Sequence, residues 1–325
     1  MIDSLGRRID YVRLSVTDRC DLRCRYCMAE TMTFEPSDRL LSSDELVRLA
    51  TLLVERGVRR IRLTGGEPLV RKDIAAIVGG IGALLDAGLD ELTLTTNATQ
   101  LTRHAAMLRD AGVRRINVSL DSRDAETFRF ITRRGDLAQV LAGIDAGKAA
   151  GLAIKINMVA LAGLNDREIA PMLEWCVERG FDLTLIETMP LGDIGMGRKA
   201  HYLPLDVVRE ELARSFDLAA SDYATGGPAR YFQVSESSIR LGLITPLTNN
   251  FCASCNRIRV TATGTVFGCL GQDQHVELRD PLRHGDGAAV EALLDRLIAG
   301  KPPRHDFQID RTTPAQPRHM SVTGG

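Results

Sequence analysis

Short apolar runs alternate with longer segments of helical period along the first two thirds of the chain. The short runs are Tyr11–Thr17, Arg60–Thr64, Glu91–Thr96, Ile116–Leu120, Ile154–Val159 and Leu183–Thr188. Most are bounded by Gly, Asp or Asn, the pattern of parallel strands buried on both faces. The longer segments are Ser43–Arg56, Lys72–Ala87, Thr102–Ala111, Leu137–Ala150 and Asp166–Arg179. The first is the clearest helix. Ser42 and Glu45 form a capping-box pattern, Leu46, Leu49, Ala50, Leu53 and Val54 keep helical spacing, and Gly57 ends it. Six strand–helix units in series predict right-handed crossovers and an α/β fold, a partial (β/α)6 barrel of TIM type. Eight units would close such a barrel; six leave one side open.

The pattern changes after Pro204. One more helix, Leu205–Ser215, leads into Gly-rich text in which Ile239–Ile244 and Arg257–Phe267 read as antiparallel strands. The expected division is a barrel over 1–215 and a mixed α/β extension over 216–325. From Lys301 onward the chain carries four prolines and ends in Gly324–Gly325, a composition that predicts disorder.

Composition changes this picture little. The 325 residues are 44% hydrophobic and 26% charged, ordinary for a globular protein with a substantial core. A net charge of −1 provides no field to attract nucleic acid or an anionic membrane, and no apolar stretch approaches the ~20 residues that cross a bilayer. Seven cysteines, an odd number, fall into two triads plus Cys176, which is not a disulfide pattern. With no apolar secretory-type leader, the expectation is a reducing cytoplasm.

The first triad is Cys20, Cys24 and Cys27, a CxxxCxxC run directly after the first strand. Three thiolates at this spacing can hold three corners of a cubic [4Fe-4S] cluster, which normally takes four. The next cysteine is Cys176, so one iron is left for a small molecule. Zinc is the alternative, but it wants a fourth ligand, and no other His or Cys lies within twenty residues of Cys27.

Cys252, Cys255 and Cys269 form CxxC and, after thirteen intervening residues, a third Cys. With His275 nearby, zinc and an iron–sulfur cluster are equal readings of the triad alone. Arg257 and Arg259, two apart on a strand, share one face beside it. Paired guanidiniums at a metal site suit an anionic, multi-oxygen substrate and tip the balance towards a cluster.

Thr64-Gly-Gly-Glu-Pro follows the second strand, where two glycines allow a ligand to approach the backbone. Its Glu67 would either hold the loop or meet a cofactor. Cys176, within a helix, reads as a small buried apolar residue.

CxxxCxxC after the first strand with GGEP after the second resembles the radical S-adenosylmethionine (SAM) superfamily. Tyr11-Val-Arg-Leu-Ser-Val-Thr-Asp-Arg-Cys, the second triad with its Arg-x-Arg and the Gly-Gly end are similar, within it, to the GTP 3′,8-cyclase family of molybdenum cofactor biosynthesis. The resemblance implies two [4Fe-4S] clusters, on Cys20, Cys24 and Cys27 and on Cys252, Cys255 and Cys269. It implies SAM contacts at Tyr26, Gly66, Ser119 and Met189. It implies GTP contacts at Arg13, Arg62, Thr95, Lys155, Arg257 and Arg259, and a catalytic role for Gly324 and Gly325 entering the active site.

The implied reaction removes the 3′ hydrogen of the GTP ribose, closes the carbon radical on C8 of guanine, and gives 3′,8-cyclo-7,8-dihydro-GTP. The implied partners are a reduced electron donor and the cyclic pyranopterin monophosphate synthase that takes the product, with this chain a monomer or a homodimer. Three positions depart from the family pattern: Ala98 and Thr323 replace a usual Gly and Ile, and Thr184 stands where many relatives carry Arg. Another radical SAM enzyme with an auxiliary cluster, acting on a peptide or haem precursor, is the alternative. A zinc-binding interaction module is the other.

Overall fold

A computed structural model describes residues 1–194, 197–310 and 314–324. Six strands, β1 (Tyr11–Ser15), β2 (Arg60–Thr64), β3 (Glu91–Thr96), β4 (Arg115–Ser119), β5 (Ala153–Ala160) and β6 (Asp182–Glu187), lie side by side in chain order, all parallel. Each falls within two residues of its expected bounds. Helices α1 (Ser43–Glu55), α2 (Ile74–Gly82), α3 (Leu101–Asp110), α4 (Ala125–Thr132), α5 (Leu137–Ala149) and α6 (Ile169–Arg179) make the crossovers. The capping box of α1 is formed on both sides, Ser42 Oγ taking the Glu45 N–H and Glu45 Oε2 taking the Ser42 N–H.

Sequence periodicity overran two helices. The expected Lys72–Ala87 helix stops at Gly82, beyond which a 3-10 turn covers Ala83–Ala87. A side chain at Gly82 would collide with the Ala111 carbonyl, so α2 touches the end of α3 there. The Asp166–Arg179 segment likewise begins with a 3-10 turn, Asp166–Glu168. Helix α4 was not read from the sequence; Asp124 caps it by accepting the Thr127 N–H at 2.8 Å.

Beyond α7 (Leu205–Leu212) the chain adds β7 (Leu218–Ser221), β8 (Arg230–Val234), β9 (Arg240–Ile244), β10 (Arg257–Val260), β11 (Thr265–Phe267) and β12 (His275–Glu277), then α8 (Arg279–Arg283), α9 (Gly287–Ala299) and α10 (Met320–Thr323). The expected single Arg257–Phe267 strand is two strands about a turn at Thr261–Gly264, where Gly264 takes φ 89°. The antiparallel expectation is also corrected for the inner pair. β9 pairs parallel with β6, and β10 pairs parallel with β1. Their outer neighbours β8 and β11 are antiparallel. The sheet order is β12-β11-β10-β1-β2-β3-β4-β5-β6-β9-β8-β7. A parallel run of eight strands therefore arises from six βα units and two later strands.

The outward residues of the barrel strands, such as Leu14, Leu63, Leu94, Ile116 and Ile156, are fully buried with the helix residues Leu49, Leu53, Ile77, Leu108 and Ile144. Each side chain so buried stabilises the fold by ~1.5–3 kcal/mol. The tail is ordered where described. Gln316 bridges Leu191, and Arg318 donates to the carbonyls of Leu270 and Gln272 and to Asp273 at 2.7 Å. No helix is long and apolar enough to cross a membrane among the described residues.

Candidate active site

The strands are two-faced rather than apolar on both sides. Tyr11, Arg13, Arg62, Thr64, Thr93, Thr95, Asn117 and Lys155 alternate with the buried apolar residues of β1–β5. Because successive side chains leave a strand on opposite faces, this set points together into the barrel. Register stacks Arg259, Arg13 and Arg62 side by side on β10, β1 and β2. It does the same for Thr95 with Asn117, and for Asn117 with Lys155.

One cavity runs through this interior and is lined by all six cysteines of the two triads. Parallel pairing of β1 with β10 sets the triads at opposite ends. The first follows the C-terminal end of β1, whereas Cys252 and Cys255 precede the N-terminal end of β10. β11 runs back antiparallel and returns Cys269 to the same end. The five residues of β1 span roughly 16 Å between them.

The loop carrying the first triad is zipped onto the Gly65–Glu67 loop. Gly66 N–H donates to Thr17 O and Glu67 N–H to Arg19 O, both at 2.8 Å. A Cβ on Gly65 would lie 2.6 Å from Thr17 O, and one on Gly66 would strike Arg19 O. Contact between two protein loops thus requires these glycines, and both also line the cavity.

Glu67 holds its loop. Its carboxylate accepts from Leu69 N at 3.0 Å, Thr96 Oγ1 at 2.8 Å and Asn97 N at 2.6 Å, while burial pushes its pKa up to about 7. Asp121 does the same beyond β4, accepting from Val159 N at 2.8 Å and from Tyr26 Oη at 2.7 Å, and burial raises it to about 6. Tyr26 therefore braces the triad loop from within. Burial, joined by Glu67 at Cys20 and Asp121 at Cys24, raises those thiols, and burial pushes Cys27 up to about 12. A metal must displace their protons to bind.

All seven cysteines are free of disulfides. Among the described residues no three His, Cys, Asp or Glu side chains converge as a single ion requires. A cubane sets its thiolates wider, one on each iron. N–H groups already face the sulfurs: Leu22 N lies 3.4 Å from Cys20 Sγ, and Lys301 Nζ and Arg257 Nη2 lie 3.6 and 3.8 Å from Cys255 Sγ. Burial raises the Cys255 pKa, but Arg257 and Lys301 outweigh it and the thiol ends below its ordinary value. These sets suit thiolate-held clusters. His275 is exposed, bonds Asp273 O through Nδ1 at 2.6 Å and leans on the Phe267 ring.

Each expected contact residue inside the described range lines the cavity or touches its wall. Tyr26, Gly66, Ser119 and Met189 lie at the first-triad end. Arg13, Arg62, Thr95, Lys155, Arg257 and Arg259 line the space between the triads. Burial followed by the charges of Arg259 and Arg62 holds Arg13 well below its ordinary pKa; burial and Arg257 push Arg259 to about 10. Burial, then Arg115 and Arg62, lower Lys155 to about 7, and its ammonium contacts Tyr231 Oη. Cations crowded this way are poised for a polyanion.

Gly324 enters from the tail with φ 76°, its α-carbon so close to Thr64 that a Cβ would overlap Oγ1. Gly325 lies outside the described residues. Thr184 is fully buried, its Oγ1 without a protein partner, and packs against Gly242. Tyr231, Asn117, Asn157 and Glu187 also line the cavity and were not found from the sequence. The alternation in Arg60-Ile-Arg-Leu-Thr and Arg115-Ile-Asn-Val-Ser was the signal for the asparagine on β4. Nothing local signals Tyr231.

Residues 14–176 match the model of the Radical SAM superfamily, and residues 181–307 match that of Molybdenum Cofactor Synthesis C. A GTP 3′,8-cyclase of Rhizobium etli is 57% identical over all of this chain and 94% of its own. Those of Mesorhizobium japonicum and Brucella canis are 56% and 55% identical over all of this chain, covering 99% and 96% of theirs. Among solved structures, Streptococcus suis SuiB bound to S-adenosylmethionine superposes with a TM-score of 0.62 over 97% of this chain and 77% of its own, at 16% identity. That likeness is one of fold.

Proposed function

The chain belongs to the radical SAM superfamily and, within it, to the GTP 3′,8-cyclases, and from that premise we propose how its residues share the work. The family's reaction is the radical cyclisation of GTP in molybdenum cofactor biosynthesis, and it requires a [4Fe-4S] cluster and SAM. Bound together, cluster and SAM supply the carbon radical that takes the ribose hydrogen.

The observation that carries the assignment of roles is the placement of two cysteine triads at opposite ends of one cavity with cations between them. Cys20, Cys24 and Cys27 hold the SAM-binding cluster. Tyr26, Gly66, Ser119 and Met189 would hold and orient SAM at that end, and the Glu67 and Asp121 braces keep the loops in register. Cys252, Cys255 and Cys269 would hold a second [4Fe-4S] cluster, which would supply an open iron for the guanine end of the substrate. Arg13, Arg62, Thr95, Lys155, Arg257 and Arg259 receive GTP, chiefly its triphosphate, as a multi-pronged clamp. Gly324, reaching Thr64 and Arg259, fills the gap beside the substrate and excludes water.

The work divides between residues 1–215, which bear the radical chemistry and four of the clamp residues, and 216–325, which bear the second cluster together with Arg257 and Arg259 of the clamp. A reduced donor supplies electrons, and the product passes to the pterin-forming synthase.

The test is anaerobic reconstitution with iron and sulfide, reduction, and addition of SAM with and without GTP. Six to eight irons per chain, GTP-dependent 5′-deoxyadenosine and a cyclised GTP isomer are expected, since two cubanes hold eight irons. Four irons would remove the second cluster, and SAM cleavage indifferent to GTP would remove the clamp.

A further inference from the structure

Lys301 follows α9 and is only 3% exposed, a burial that lysine rarely accepts without a partner. Its ammonium donates to Arg257 O at 3.1 Å and to Gly268 O, and points at Cys255 Sγ from 3.6 Å. These acceptors lie on both arms of the second triad, the CxxC arm and the segment leading into Cys269. Two are neutral carbonyls and the third is a sulfur; none is a carboxylate. Removing an ammonium from water costs several kcal/mol, which neutral acceptors offset poorly, so the thiolate end of this set is the natural counter-charge.

Arg7 secures the lysine from behind. Its guanidinium is buried, pairs with Asp3 at 2.6 Å, and donates to Lys301 O at 3.3 Å and to Cys252 O at 3.0 Å. The two cations together tie the Cys252 carbonyl, the Cys255 sulfur and the carbonyl of Gly268, which precedes Cys269, to the end of α9 and to the N-terminal segment.

We propose that Lys301 is a positioning residue of the second triad: it clamps the two arms together and, through its N–H to Cys255, raises the reduction potential of the centre they hold. Donors and positive charge at cluster sulfurs stabilise the more negative reduced state. This rests on the reading that the triad carries an iron–sulfur cluster, and the experiment separates the two.

In full-length protein with Cys20, Cys24 and Cys27 all changed to Ser, only the second triad can hold iron. Iron and sulfide are measured, and the potential is found by redox titration followed by electron paramagnetic resonance, for Lys301, Lys301→Met and Lys301→Arg. Lys301→Met is expected to shift the reduction equilibrium at least tenfold towards the oxidised state, about 59 mV for one electron. Lys301→Arg is expected to stay close to the parent. If Lys301→Met fails to hold iron while Lys301→Arg holds it at the parent potential, the clamp is supported. Equal potentials in all three, or iron lost from both variants, overturns the proposal. An iron-free parent overturns the cluster reading and the proposal with it.

Discussion

Arg259 holds the carbonyl of Thr323 at 3.2 Å, joining an inward-facing cation of β10 to the end of the tail. The same guanidinium reaches the Gly324 carbonyl. A tail whose composition suggests disorder is therefore fixed by the cavity wall it closes. Gly324→Ala is expected to lower cyclisation at least tenfold, because the added methyl overlaps Thr64 Oγ1 and φ 76° disfavours any side chain. Iron and sulfide per chain should stay at the parent level. Unimpaired cyclisation in this variant would exclude a role for the tail at the reacting end.

Arg257→Ala and Arg259→Ala are expected to weaken GTP binding by tenfold or more and SAM binding by less than threefold. Each charge-assisted contact is worth about 1.5–3 kcal/mol. Equilibrium binding of both ligands to the reduced-cluster protein measures the ratio. Equal losses would place the arginines in general support of the cavity.

Lys155 gives GTP binding a pH signature. Its pKa in the free protein, lowered to about 7, leaves it mostly neutral at pH 8 and charged at pH 6. A triphosphate beside it favours the ammonium, so binding at pH 8 should take up close to one proton, falling towards zero at pH 6. Calorimetry in two buffers of different ionisation enthalpy reads the number directly. Lys155→Met should abolish the uptake at pH 8; its persistence would assign the proton to another group.

Ala98 occupies φ 64°, a backbone conformation that favours glycine, yet it is fully buried in the core. The left-handed backbone costs ~1–2 kcal/mol. Burying its methyl recovers about 0.8 kcal/mol, and alanine loses ~0.4–1 kcal/mol less unfolded-chain entropy than glycine. These terms nearly cancel, so Ala98→Gly should change the apo-protein denaturation midpoint by less than about 0.5 kcal/mol in free energy. A stabilisation above ~1.5 kcal/mol would show that the strain is not offset.

The sequence made the chemistry legible because cysteine spacing and GGEP are local. It made α1 legible because both halves of its capping box are three residues apart. What it left unread depends on partners far along the chain. That Gly65 and Gly66 are also held against Thr17 and Arg19 is such a contact, which the dipeptide itself does not signal. Nothing near Arg257 says that its strand lies parallel to β1. The tail is ordered by Arg318 and Gln316 on a loop more than forty residues earlier, contacts that composition cannot register. The polar inner face was present in the alternation of Arg60–Thr64 but was overshadowed by the apolar residues between.

The sheet order bears on how the chain is made. During synthesis β1 and β6 emerge with one edge each unpaired, and their eventual neighbours β10 and β9 arrive more than fifty residues after β6 is complete. Until then the half-built barrel presents two bare parallel edges and an arginine-lined interior with no anion inside. Such an intermediate is vulnerable to edge-to-edge association. Fragments ending before Arg240 should be poorly soluble for that reason, and the C-terminal strands act as the nascent barrel's own protective flanks.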